Sequence, residues 1–125
     1  MILGLGIDLI ETDRIRRAYA QNGRRFLDRI LSESEIEYCL GQADPAIPLA
    51  ARFAAKEAIA KAFGTGIGAS LGWHDMVVER LASGQPVVRL VGQGQVLLAE
   101  RQAKVVHLSL THTATHAAAV AVLES

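Results

Sequence analysis

Asp8 stands in the apolar run Met1-Ile2-Leu3-Gly4-Leu5-Gly6-Ile7-Asp8-Leu9-Ile10. In an extended strand it shares a face with Gly4, Gly6 and Ile10, while Leu3, Leu5, Ile7 and Leu9 take the other. A carboxylate there is costly to bury without a cation or hydrogen-bond donors. The glycines beside it leave the backbone uncovered, so a large ligand can approach. The plainer alternative is an Asp that caps the following helix or ends the strand. A second cluster lies in Arg52-Phe53-Ala54-Ala55-Lys56-Glu57-Ala58-Ile59-Ala60-Lys61. At helical spacing Phe53, Glu57 and Lys61 line one face, and Arg52 and Lys56 the adjacent one. As an ordinary solvated face this stretch holds a Glu57–Lys61 pair worth ~0.3–0.5 kcal/mol. Its setting among Ala, Phe and Ile, with three cations around one carboxylate, suits instead an anionic, phosphate-bearing ligand with a metal. A hard cation such as Mg²⁺ takes one or two protein carboxylates and completes its shell with phosphate oxygens and water. Asp8 and Glu57 form such a pair.

Three further patterns carry less. Gly64-Thr65-Gly66-Ile67-Gly68 has the spacing of a nucleotide loop, but it follows a helix, where such a loop must follow a strand and open a helix. A helix C-cap with a turn after it accounts for the glycines. His112 and His116 have the spacing of a helical zinc pair, yet the Thr and Val content here favours strand, in which residues four apart are ~13 Å distant. Zinc is therefore rejected. His107, Ser109 and Thr111 alternate with Leu108 and Leu110 and give a polar strand face, either solvated or ligand-lining.

The elements that must position these groups follow from periodicity. The first strand leads into a helix with Thr12 as N-cap and Gly23 just past its end. Ser32-x-x-Glu35 is a capping-box pattern opening a short helix near 33–40. Pro48 suits the first position of the Ala-rich helix that Gly64 would end. Strands are predicted over Met76–Arg80 and Val87–Val91 around the turn Ser83-Gly84-Gln85-Pro86. A helix near 93–103 precedes two strands, Val105–Leu110 and His116–Leu123. With no repeat and no linker in 125 residues, the expectation is one compact α+β domain spanning residues 1–125, a mostly antiparallel sheet packed with helices. Only 5% of residues are aromatic, so the core must come from Ala, Val, Leu and Ile.

Composition limits the function classes. Thirteen Lys and Arg balance thirteen Asp and Glu, which argues against bulk-charge attachment to nucleic acid or membrane. The balance hides a segregation. Residues 14–29 contain Arg14, Arg16, Arg17, Arg24, Arg25 and Arg29 against Asp28 alone, leaving an acidic remainder. No run reaches the length of a membrane span. The apolar start lacks a basic segment and a cleavage site, so it reads as strand rather than signal peptide. A lone Cys39 forms no internal disulfide, and the expected setting is the cytoplasm.

Gly6-Ile7-Asp8-Leu9 with Arg14-Ile15 resembles the first signature of the 4′-phosphopantetheinyl transferases. Phe53-Ala54-Ala55-Lys56-Glu57-Ala58-Ile59-Ala60-Lys61 resembles the second. The extended block from Arg52 to Gly66, and His107-Leu108-Ser109-Leu110-Thr111-His112-Thr113 near the C-terminus, are similar to the bacterial holo-acyl-carrier-protein synthase branch. The resemblance covers essentially the whole chain. It implies transfer of 4′-phosphopantetheine from coenzyme A to a serine of an acyl carrier protein, releasing adenosine 3′,5′-bisphosphate, in support of fatty acid biosynthesis. On that reading Asp8 and Glu57 hold Mg²⁺, and a carboxylate or a metal-bound water takes the serine proton. Lys61 meets the leaving phosphate and Lys56 helps hold the phosphates. Arg52, Phe53, Gly64, Thr65, Gly66, His107, Ser109 and Thr111 line the nucleotide end of coenzyme A. The family also implies a homotrimer with sites between protomers, and the carrier, being acidic, gives Arg14, Arg17, Arg24 and Arg25 a docking role. Two other classes stay open on the residues alone: a non-catalytic module that binds an acidic partner, and a Mg²⁺-dependent nucleotide hydrolase.

Overall fold

The computed structural model describes residues 1–125. Alternation in the first segment yields strand β1, Ile2–Glu11, which runs straight into helix α1, Thr12–Asn22. Glu11 occupies the N-cap position without a side-chain cap bond. The expected cap, Thr12, is the first helical residue, and its Oγ1 is buried without a partner. Asp8 therefore does not cap the helix. Gly23, at a φ of 59°, turns the chain into a second helix, α2, Arg24–Ile30. Gly23 was expected just past the end of α1 and stands there, whereas α2 was not anticipated. Helix α3, Glu33–Leu40, opens on the expected capping box: Ser32 N–H donates to Glu35 Oε1 at 2.8 Å, and Glu35 N–H to Ser32 Oγ at 3.4 Å.

Helix α4, Ala46–Phe63, is the centre of the molecule, with Leu49, Ala50, Ala54, Ala55, Ala58, Ile59 and Ala60 all inaccessible to solvent. It starts at Ala46 behind Pro45, so Pro48 falls at its third position, where the first turn still needs no N–H. Gly64 ends it in the left-handed region, φ 78°. After a single 3-10 turn, Trp73–Asp75, come the hairpin β2, Met76–Arg80, with β3, Pro86–Leu90, and helix α5, Gln93–Glu100. Strands β4, Val105–His112, and β5, His116–Glu124, complete an antiparallel sheet of order β1-β5-β4. His112 and His116 thus flank a hairpin turn rather than share one strand, and no group of three or more His, Cys, Asp or Glu is placed to hold a metal.

The two faces of this sheet differ. The inner one lies on α4 at very short range: a Cβ on Gly4 would stand 1.9 Å from Ala62 O, and one on Gly6 1.8 Å from Ala58 O. Ala117, Ala119 and Ala121 of β5 keep the same face low and are buried. The glycines therefore admit the helix, not a ligand, which corrects the sequence expectation. The outer face is apolar and open, with Leu5 67%, Ile7 63% and Leu9 68% exposed beside Val120 of β5. No helix is long and apolar enough to cross a membrane.

Candidate active site

Register places Asp8 on the inner sheet face, where α4 supplies its neighbours. Lys61 Nζ donates to Asp8 Oδ1 at 3.1 Å and to Ile7 O at 3.0 Å. The Asp8 side chain is only 16% exposed, so this ion pair is partly shielded from water. Glu57 precedes Lys61 by one turn. Burial, and then the charge of Asp8, push its carboxyl above the usual range, while Lys61 and Arg14 work the other way. Two acids and two bases from β1, α4 and α1 thus converge. One turn earlier, Phe53 packs on Trp73 with ring centroids 5.0 Å apart, and the Arg14 guanidinium lies 5.7 Å from the Phe53 ring. Phe53, Trp73, Phe26, Ile30, Arg14 and Glu57 line a cavity of about 310 Å³.

Two carboxylates at one cleft, the charge of Asp8 adding to the burial that raises the proton affinity of Glu57, are a donor set that a small hard cation relieves. Asp8 and Glu57 fit Mg²⁺ on that ground.

The other half of the charged helix does something else. Lys56 is fully buried, with its Nζ donating to Ile30 O at 2.7 Å, Glu35 Oε1 at 2.9 Å and Trp73 O at 3.1 Å. Burial lowers its pKa, and the charge of Glu35 opposes that shift. An ammonium with all three protons used inside the core holds no phosphate, so the expected Lys56 contact is corrected. Arg52 is also buried, its guanidinium 4.3 Å over the Tyr38 ring and its Nε without a partner. It faces a second cavity of about 300 Å³, lined also by Tyr38, Asp44, Arg80 and His112, which has no residue in common with the Glu57 cavity. The expected three cations around Glu57 are instead Lys61 and, from α1, Arg14. Sequence spacing missed Trp73 and Arg80, and marked Glu35 and His112 without linking them to Lys56 or Arg52. The capping-box pattern marked Glu35 only as a helix opener, because a long-range ion pair leaves no local signal.

The remaining expected residues scatter. Gly64, Thr65 and Gly66 form the turn one step past Lys61, where Thr65 Oγ1 donates to Gly66 O at 2.8 Å. His107, Ser109 and Thr111 lie on the outer sheet face, opposite Asp8, where His107 Nε2 pairs with Glu124 Oε1 at 2.9 Å. Of the arginines, Arg17 and Arg25 are exposed and make no ion pair in the chain. Arg24 is engaged by Glu33 at 2.7 and 2.8 Å and by Asp28 at 3.0 Å. Its charge is thus partly answered within the chain, unlike that of Arg17 and Arg25.

A model of the 4′-phosphopantetheinyl transferase superfamily matches residues 4–121. The chain belongs to this family. Among curated relatives, a holo-[acyl-carrier-protein] synthase of Chlamydia muridarum is 46% identical over 98% of this chain and 95% of its own. One from Syntrophus aciditrophicus is 42% identical over 99% of this chain and 97% of its own. The crystal structure of the Neisseria meningitidis synthase superposes with a TM-score of 0.93 at 34% identity, covering 100% of both chains. That of the Helicobacter pylori synthase in complex with coenzyme A gives 0.86 at 30% identity, over 96% of this chain and 99% of the other. In this phosphopantetheinyl transferase the motif helix α4 therefore carries two separate duties: Phe53, Glu57 and Lys61 face the carboxylate cleft, and Arg52 and Lys56 face α3 and β2.

Proposed function

We propose that this chain transfers the 4′-phosphopantetheine group of coenzyme A to a serine of an acyl carrier protein. The observation that carries the reading is the convergence of Asp8, Glu57 and Lys61 at one cleft, in a chain whose relatives bear the holo-[acyl-carrier-protein] synthase name across nearly their full length. The serine hydroxyl passes its proton to a cleft carboxylate or to water and attacks the β-phosphorus, forming a new O–P bond. The bridging bond to the α-phosphate breaks, and its electron pair leaves with adenosine 3′,5′-bisphosphate. Such a transfer needs positioning and charge neutralisation more than covalent help from the protein. Mg²⁺ held by Asp8 and Glu57 would supply neutralisation of the diphosphate when bound. Lys61, half exposed while its Nζ holds Asp8, offers its charge to the leaving phosphate.

The nucleotide end of coenzyme A belongs with the Arg52 cavity, where Arg52 and Arg80 flank the Tyr38 ring. That cavity lies across α4 from Glu57, and His107, Ser109 and Thr111 lie across the sheet from Asp8. A complete site is on this reading assembled from neighbouring copies, and the family resemblance makes that assembly a homotrimer. The open outer face of β1 and β5 is the surface that such an assembly covers, since exposed apolar patches of this kind mark interaction sites. An acidic carrier docks on Arg14, Arg17 and Arg25. We place the protein in the cytoplasm; its one cysteine, Cys39, is buried with its thiol pushed up to about 11 by burial.

Incubation with coenzyme A, Mg²⁺ and an apo carrier protein tests the reading by mass spectrometry. A gain of one phosphopantetheine is expected. Intact coenzyme A with an unmodified carrier would mean a binding module, and cleaved coenzyme A with an unmodified carrier a nucleotide hydrolase.

A further inference from the structure

Lys56 and Glu35 form an ion pair with no solvent exposure on either side chain. Its reach is wider than two residues. Lys56 Nζ binds the carbonyl of Ile30, the last residue of α2, and that of Trp73 in the 3-10 turn. Glu35 Oε1 also accepts from Ser32 N–H at 2.8 Å, and its Oε2 accepts from Val78 N–H of β2 at 2.9 Å. The pair thus ties α2, α3, the 3-10 turn and β2 to α4 at a single point. Ile30 and Trp73 are also two walls of the Glu57 cavity, and the Trp73 ring packs on Phe53. An apolar side chain at this point would fill the space but accept several orientations. An ammonium with three fixed acceptors has one, which gives register rather than mere cohesion.

We propose that Lys56 is a positioning residue: through the Ile30 and Trp73 carbonyls it sets the walls of the cavity in which Glu57 acts, and it touches no part of the substrate. The proposal rests on the transferase reading for its kinetic arm alone. Trp73 is the only tryptophan in the chain, so its fluorescence reports the wall without any turnover.

The full-length Lys56→Met variant is the test. Below its melting temperature, acrylamide quenching of Trp73 should rise above that of the parent. In the same protein kcat should fall about tenfold while the KM for coenzyme A stays within about threefold. In a Trp73→Ala background, where the wall is already gone, Lys56→Met should cost less than about threefold more, because two changes acting through one element are not additive. A KM for coenzyme A raised tenfold with quenching unchanged would overturn the proposal, as would a full additional loss in the Trp73→Ala background. Should Lys56→Met not fold, Glu35→Gln loosens the same anchor from the other side. It should lower kcat with KM held, and an unchanged kcat would sink the idea. Failure of the parent protein to modify any carrier would remove the transferase reading and leave the quenching result standing.

Discussion

Lys61 Nζ lies 3.1 Å from Asp8 Oδ1, joining residues 53 apart in the chain into one ion pair at the foot of α4. Its second bond, to the Ile7 carbonyl, locks the lysine to the strand that carries the acid. Lys61→Met should therefore fold and bind coenzyme A, but lose about 10²-fold in kcat, since its charge is needed most as the phosphate leaves. Steady-state kinetics beside a circular dichroism spectrum check this. A normal kcat would remove Lys61 from the chemistry.

Asp8→Asn and Glu57→Gln should each abolish Mg²⁺-dependent activity with the fold retained. Glu57 also has a pH signature. Its folded carboxyl titrates above the ordinary 4.5 of the unfolded chain. As pH rises past 4.5 the unfolded state ionises first, so stability from this group, complete below that pH, is lost up to the folded value. Metal-free Glu57→Gln should thus gain in melting temperature over the parent as pH climbs from acid to neutral. Mg²⁺ should stabilise the parent at neutral pH and not the variant. Parallel melting curves for the two proteins would contradict the assignment.

The arginines separate by their partners. Charge reversal at Arg17 or Arg25 should raise the KM for an acidic carrier and flatten its salt dependence, with the melting temperature unmoved. Arg24→Ala should instead leave stability little changed, since its pairs with Glu33 and Asp28 are exposed, and leave docking nearly intact. An identical kinetic effect at all three positions would show that the intramolecular pairs do not matter.

Ile7→Asp puts a charge in the open outer face and should yield a monomer in sedimentation. Activity should fall with it, although Asp8, Glu57 and Lys61 all belong to one chain. Mixing an inactive Glu57→Gln chain with an inactive Arg52→Ala chain should restore part of the activity, because some sites then combine an intact half from each. No recovery after verified subunit exchange would confine the site to one protomer.

Gly6→Ala should be severely destabilising, by about 3 kcal/mol or more, since its Cβ would meet a helix carbonyl rather than a movable side chain. Urea denaturation measures this directly. A loss below about 1 kcal/mol would mean that α4 can back away from the sheet.

Short-range rules made much of this protein legible. Alternation marked β1 and the C-terminal strands, the capping box marked α3, and Gly64 marked the end of α4. Asp8, Glu57 and Lys61 stood out because charges are costly in apolar surroundings, and the two motifs that hold them carry the family resemblance. Helical spacing separated Phe53, Glu57 and Lys61 from Arg52 and Lys56, but what each face would meet was not legible, and only the elements packed on each side decided that. Glu35 on α3 drew Lys56 into the core, Tyr38 took Arg52, and β1 took Lys61. The glycines beside Asp8 had the same ambiguity: a bare backbone admits a ligand or a helix equally well until the helix is placed. Sequence determined which residues could do chemistry, because that depends on residue type and local spacing. Tertiary structure decided which of them meet at one cleft and which are buried elsewhere, because burial and charge partners are set by chain segments far apart in sequence.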